Sequence, residues 1–373
     1  MAAEPVEYVA SCTQTMNGGI LIPGTDTCLR IGGEVRADYF FDDPQGNGDT
    51  TVFDTTALLK FDARTRTEYG TLRSYIELTV ETGDGAEASK AFIQLGGLTA
   101  GYAGSAYRFF DASYSAPIFT SVYAANHTTN RLSYTQLLGE GVYATLSAED
   151  AGRARTAISP VYFAPLFTAG YGGQEWPDLV AAIGVNQSWG RAQIMAAAHQ
   201  VRYAPAVATI GGAVLETFED EVGFAVGAGV GINLPFAYGG HVAAEVNYAE
   251  GAMRYLGILE QDAFVYDTTG AFTFIAETSS GWSVASELQV GLSHSMAATV
   301  FATYVDYNAP SFVVADYTSL IVGALVGYEI VPGFAAGVEI AYEHRISDVR
   351  PALVVQSEER DTITGGLRLK RVF

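Results

Sequence analysis

The run from Gly366 to Phe373 alternates side chains with a period of two and stops on an aromatic ring. Leu367, Leu369 and Phe373 fall on one face, Arg368 and Lys370 on the other. A strand at this place needs a partner on each side, or it leaves an open edge. Upstream, strand-like runs read at 29–41, 53–69, 71–81, 88–96, 98–108, 130–138, 141–150, 178–189, 191–204, 221–233, 239–251, 280–292, 295–307, 317–330, 334–346 and 360–373. Their connections alternate. Gly70, Gly97, Gly139-Glu140, Gly190, Pro235 to Tyr238, Ser293-His294 and Val331 to Gly333 are short turns, and every other connection is longer, the longest at 109–129, 151–177 and 252–279. In lipid every backbone N–H and C=O needs an internal partner, so a spanning sheet has to close. The expected fold is all-β: a transmembrane antiparallel barrel of about 16 strands, with short periplasmic turns and long extracellular loops.

Parity within strands points to a wet interior. Arg30, Glu34, Arg36 and Asp38 oppose Leu29, Ile31, Val35, Ala37 and Tyr39. Lys60, Asp62, Arg64, Arg66 and Glu68 oppose Leu59, Phe61, Ala63, Thr65, Thr67 and Tyr69. Arg73, Tyr75 and Glu77 alternate with Leu72, Ser74, Ile76 and Leu78, and Glu339, Glu343 and Arg345 oppose Phe334, Val338, Ile340 and Tyr342. Residues 295–307 and 317–330 are apolar on both faces, which leaves two readings there: contact with other protein, or a slipped register. No apolar run reaches the roughly 18–20 residues of a spanning helix. The nearest, Phe224 to Val246, is broken by Gly227, Gly229, Gly231 and Pro235, which suit two strands around a turn.

Cys12 and Cys28 are the two cysteines of this 373-residue chain. They read as one disulfide formed in an oxidising compartment, contributing about 3 kcal/mol on the chain-entropy model. With no His or second Cys pair nearby, zinc is not expected. Met1 to Pro5 lacks a charged n-region and an apolar h-region, so the expectation is a mature chain without its signal peptide. Two units follow: an N-terminal periplasmic-side segment, 1–28, and the transmembrane barrel, 29–373.

Several stretches resemble the alphaproteobacterial general porin family. Val6 to Val9 followed by Cys12, and Ile22-Pro23-Gly24-Thr25-Asp26-Thr27-Cys28-Leu29-Arg30, are similar to its N-terminal segment. Ala91 to Leu98 resembles its fourth strand and turn, and Tyr328 to Phe334 and Arg371-Val372-Phe373 match as well. The resemblance implies a homotrimer of sixteen-stranded outer-membrane barrels in a Gram-negative envelope, with the third long loop folded into each pore. The implied function is passive diffusion of small hydrophilic solutes and ions, with no cofactor. The implied partners are outer-membrane lipid and lipopolysaccharide, and the barrel assembly machinery reading Leu367, Leu369 and Phe373.

A barrel this wide leaves an aqueous channel that side chains alone do not fill. The expected constriction is the loop at 109–129, with Phe109, Phe110, Asp111, Tyr114, Phe119 and Tyr123, because so many rings need something to pack against. The expected basic wall is Arg30, Arg36, Lys60, Arg64, Arg66 and Arg73, with Glu34, Asp62 and Glu77 as its acidic members. One acidic residue, Asp111, in 109–129 predicts a weak transverse field and an aromatic eyelet. The formal charge of −21 predicts mild cation preference and disfavours nucleic acid. Asp42-Asp43 with Asp49, and Glu216 to Glu221, read as solvated loops, with loosely bound divalent cations as the alternative. No nucleophile motif accompanies the five His, so an enzyme is not expected. The rival functions are a substrate-specific channel with an aromatic-lined eyelet, and a receptor or adhesin acting through the loops.

Overall fold

A computed structural model of the protein describes Cys12, Met16 and residues 18–373, apart from 43–49, 84, 111–117, 162–166, 236–237, 268–272, 311–312, 314 and 350–355. Sixteen antiparallel strands form one closed barrel. They are β1 Thr27–Asp42, β2 Thr51–Thr67, β3 Gly70–Glu81, β4 Gly85–Leu95, β5 Leu98–Gly104, β6 Thr128–Gly139, β7 Val142–Glu149 and β8 Asp178–Gln187. Then follow β9 Gly190–Val201, β10 Glu221–Leu234, β11 Gly240–Glu250, β12 Ser280–Gly291, β13 Met296–Asn308, β14 Tyr317–Val331, β15 Phe334–Val349 and β16 Gln356–Val372. Each strand pairs with the next, and β16 returns to β1 from Glu34↔Val372 to Asp42↔Thr364. Beyond that ladder Gly33 and Phe373 exchange both backbone hydrogen bonds, each 3.0 Å. A Cβ on Gly33 would stand 2.9 Å from the Phe373 ring, so only glycine allows this approach.

The period-two pattern sorts the two faces. In β8, Val180 and Ala182 are buried inside while Leu179 and Ile183 are more than half exposed outside. Ile31, Ile93, Leu132, Leu146, Ile194, Val300 and Val338 continue that outer apolar band. Tyr69, Trp189, Tyr238 and Tyr328 are exposed at the short-turn end, and Phe53, Tyr248 and Trp282 toward the loop end, as aromatic girdles are.

Two expectations change. The connection between β3 and β4 is residues 82–84, as short as the turns at the other end, so the alternation is not strict there. The third long loop is 105–127, because β5 stops at Gly104. The register across 295–330 does not slip: β13 and β14 pair without interruption from Met296↔Tyr328 to Tyr307↔Tyr317. Their inward apolar residues, Phe301 and Ile321, cluster with Ala341 under Tyr123 of the loop. Apolar residues on both faces therefore mark a stretch with lipid outside and a loop inside.

The other long loops carry structure of their own. Ile158–Val161 lies parallel to Ala263–Asp267, which pairs antiparallel with Phe274–Thr278. Phe167–Thr168 pairs with Ala206–Ala208, and that with Val214–Glu216. The loops after β7, β9 and β11 are thus stitched together above the barrel, around buried Ile158, Phe167, Val201, Tyr203, Val265 and Phe274. Among the described residues no helix is long and apolar enough to cross a membrane.

At the turn end Ile20–Leu21 pairs with Cys28–Leu29, and Cys12 is bonded to Cys28 with Cα atoms 5.8 Å apart. Replacing both cysteines by Ser is expected to lower the thermal unfolding midpoint while leaving the β content of the folded protein unchanged. On the chain-entropy model the loss is about 3 kcal/mol. Circular dichroism melts of the two proteins check it, and coincident melts would remove the disulfide from any stabilising role.

Candidate functional site

The described residues of loop 3, 105–110 and 118–127, lie inside the barrel, held to the wall by carboxylates. Ala106 N–H donates to Glu149 of β7 at 2.8 Å, and Phe110 N–H to Glu245 of β11 at 3.3 Å. Glu339 of β15 receives most: the backbone N–H groups of Ile118, Phe119 and Thr120, the last at 2.9 Å, and the Thr120 hydroxyl at 2.6 Å. Three successive N–H groups around one anion form a nest. Glu339 is only 2% exposed, and burying a carboxylate is tolerable when hydrogen bonds replace its water. Tyr123 adds its N–H to Thr303 at 2.8 Å and its hydroxyl to Ser319 at 2.9 Å, and Ser319 donates to Glu343 at 2.7 Å.

The rings of the loop fill places where the wall has no side chain. Phe109 lies over Gly229, where a Cβ would enter its ring. Tyr107 sits over Gly227, Ile118 over Gly337 and Phe119 over Gly366, each within 3 Å of where a Cβ would be. Arg191 of β9 stacks on Phe109 at 4.6 Å and donates to its carbonyl. Phe109, Phe110 and Tyr107 are buried with Met253, Tyr255 and Leu256 of the loop after β11. The glycine alternation in 224–246, which suits strands, also makes this room.

Of the predicted loop residues, Phe109, Phe110, Phe119 and Tyr123 come together against β9–β16, while Asp111 and Tyr114 lie outside the described residues. The opposite wall, β1–β4, faces a gap of about 510 Å³ bordered on the loop side by Ile118 and Phe119. Phe40 of β1 stacks on Phe119 with centroids 5.9 Å apart, and Arg368 lies 5.4 Å from the Phe119 ring. The predicted basic residues line this wall, but carboxylates accompany them. Asp62 receives Arg64 at 2.8 Å and Arg73 at 2.9 Å, with Arg30 at 3.7 Å. Glu77 receives Lys90 at 3.1 Å, with Lys60 at 3.9 Å, and Arg36 pairs with Glu34. Arg66 is exposed toward the turn end. Leu367, Leu369 and Phe373 are exposed on the outer surface.

Sequence reading missed the ion pair Arg368–Asp38 at 2.6 Å, and the gripping roles of Glu149, Glu245 and Glu339. For Glu245 there was a signal: it is the one carboxylate among the inward positions of Gly240–Glu250, between His241 and Asn247. Sequence reading also missed a buried network at the mouth. His199 Nδ1 contacts Asp178 at 2.8 Å, Tyr255 donates to Asp178 at 2.8 Å, and Tyr171 donates to Asp262 at 2.6 Å. Asp262 also accepts from Thr156 N–H and Met253 N–H, so one carboxylate ties the loops after β7 and β11 together. Burial raises the Asp262 carboxyl, opposed by His199 and these N–H groups. Among the described residues no group of three metal-ligating side chains forms a metal site.

The chain belongs to the porin subfamily, whose family model matches residues 1–366. Its closed sixteen-stranded barrel is the fold of outer-membrane porins. Porin Omp2b of Brucella suis is 33% identical over 177 residues, 43% of this chain and 47% of that relative. Porin Omp2b of Brucella abortus strain 2308 is 34% identical over 168 residues, 40% of this chain and 46% of that relative. The matched part thus spans about half the length of these relatives. Among solved structures, the outer-membrane channel DcaP of Acinetobacter baumannii superposes with a TM-score of 0.72 at 15% identity, over 95% of this chain and 99% of that one. The anion-selective porin of Comamonas acidovorans gives 0.58 at 11% identity, over 93% and 100%.

Glu339→Ala removes the acceptor of four loop donors and is expected to release residues 118–120 from β15. Single-channel conductance should rise, by about twofold, because losing several charge-assisted hydrogen bonds frees this stretch to leave the lumen. An unchanged conductance would show that the loop stays in place without Glu339.

His127, last residue of the loop, is buried edge-on to Tyr255 at 5.2 Å, and among the described residues neither ring nitrogen has a hydrogen-bond partner. Burial, then the charges of Arg254, His199 and Arg108, lower it to about 3. Because the folded value lies below the ordinary 6.5, the unfolded chain takes up this proton first. Stability is full above about pH 6.5 and falls as pH drops toward 3. The parent should therefore lose more of its melting temperature between pH 7 and pH 4.5 than His127→Phe does. Equal losses would mean that His127 takes no part.

Proposed function

We propose that the protein is a homotrimeric outer-membrane pore for passive diffusion of small hydrophilic solutes and ions, narrowed by loop 3 and mildly cation-preferring. One observation carries this reading. The described residues of loop 3 are held against β9–β16, and the gap beside them lies along the charged wall of β1–β4, past Phe119. A wall of ion pairs with water above and below suits hydrated solutes and penalises apolar ones. The outer apolar band and aromatic girdles suit lipid and lipopolysaccharide, and Leu367, Leu369 and Phe373 are taken as the signal read by the assembly machinery. The charge of −21 supports the cation preference, since acidic mouths concentrate cations.

The Phe40–Phe119 stack at the gap favours a second reading, a channel selective for solutes with an apolar face. Liposome swelling against a series of sugars and amino acids separates the two. Rates that follow size alone support general diffusion, and one solute far above its size class supports selectivity. Reversal potentials in a tenfold KCl gradient are expected to show cations favoured, with a reduced preference in Asp111→Asn. An unchanged potential in that variant would remove Asp111 from the pore.

A further inference from the structure

The open wall carries its charge sorted along the pore axis. Asp54 lies near the loop end of β2, Glu81 at the loop end of β3 and Glu87 at the loop end of β4, and all three border the gap. Among the described residues none of the three forms an ion pair. The other charged groups of the gap, Asp38 and Arg368, neutralise each other, and Arg36 is matched by Glu34. Toward the turn end the balance reverses. Asp62 is shared by three arginines and Glu77 by two lysines, so five cations surround two carboxylates. Three negative charges at the loop end thus stand against an excess of three positive charges toward the turn end.

We infer that this lumen is a bipolar channel whose field runs along its axis, and that it passes salt unequally in the two directions. The inference rests on the pore reading and deepens it. The Lys60–Glu77–Lys90 group stands between the two ends. From Glu81 to Arg73 of the arginine cluster on β3 is eight residues, roughly 27 Å at 3.4 Å per residue, and about 20 Å along the axis of a tilted strand. That exceeds the Debye length of about 10 Å at 0.1 M salt, so the two halves act separately instead of cancelling. The loop end is a cation-selective segment and the turn end an anion-selective one. With the loop side positive, cations enter through the acidic end and anions through the basic end, and both accumulate where the halves meet. With the polarity reversed, each half excludes the ion arriving at it, and the junction is depleted. The same field orients zwitterionic solutes with the ammonium toward the loop end and the carboxylate toward the turn end.

The test is the single-channel current–voltage curve of the full trimer in planar bilayers of neutral lipid, with KCl as the sole probe. Orientation is read in Ile210→Cys, an exposed loop position, by the side from which a bulky thiol reagent lowers the current. At 0.1 M KCl the current is expected to be about 1.5- to 2-fold larger with the loop side positive. The ratio should approach one at 1 M, where the Debye length is about 3 Å. Asp54→Asn with Glu81→Gln and Glu87→Gln should bring the 0.1 M ratio close to one, while Asp54→Glu with Glu81→Asp and Glu87→Asp keeps it. A symmetric parent current at 0.1 M, an asymmetry of opposite sign, or one that persists at 1 M overturns the axial field and leaves the pore reading standing. The salt series needs no lumen variant, so misfolding of the neutralised protein does not shield the inference. Absence of any conductance overturns both readings.

Discussion

Everything in this molecule depends on the pairing of β16 with β1. An open sixteen-stranded sheet would present two rows of unpartnered N–H and C=O groups to hydrocarbon, each costing several kcal/mol. The ladder from Glu34↔Val372 to Asp42↔Thr364, extended by Gly33 and Phe373, removes both rows. Closure fixes which side chains face inward, and so it places Asp62, Glu77 and Glu339 in one lumen although they come from distant parts of the chain. The Arg368–Asp38 pair spans the seam itself, fixing the register of closure from inside the barrel.

Closure creates a second difficulty, a cylinder too wide for its own side chains, and loop 3 answers it with backbone amides. A loop in a cavity cannot leave its N–H groups unpaired, and here strand carboxylates receive them: Glu149, Glu245 and Glu339 in turn along the loop. The arrangement satisfies two demands together, because each buried carboxylate also needs donors. Small residues on the wall then allow rings to approach closely. Gly229 beneath Phe109 and Gly337 beneath Ile118 leave no space for water at the contact. The loop therefore stays on the β9–β16 side by shape as well as by charge.

The barrel was legible because period two is a local property. Residues 58–69 announce their inward face without reference to any other strand, and glycine-marked turns such as Gly70 and Gly190 show where strands reverse. What was not legible is which inward face a loop covers. Residues 317–330 look ambiguous as a sequence because Ile321 meets Tyr123, and a strand cannot declare a partner nearly 200 positions away. For the basic residues of β1–β3, the sequence shows the inward parity but not the pairing. Arg30, Arg64 and Arg73 are widely spaced in sequence, and only the register of β1–β3 shows that they converge on Asp62. The network of Asp178, His199, Tyr171 and Asp262 joins four segments and has no local signature.

The ion pairs on β1–β4 also bear on how so charged a wall would act in the proposed pore. Isolated arginines facing a narrow lumen would bind anions strongly and slow their exit, whereas conduction needs sites that ions leave as readily as they enter. Sharing one carboxylate among Arg30, Arg64 and Arg73 leaves a diffuse positive excess and fixes the guanidinium groups in place. The half-exposed Arg30 contributes little as a pair, since solvent screens it. The nearly buried Asp62 matters more, because burial disfavours its charge while the arginines lining it restore that charge. Removing Asp62 would leave three cations facing one another, so the carboxylate is what allows a basic segment to exist in this lumen at all.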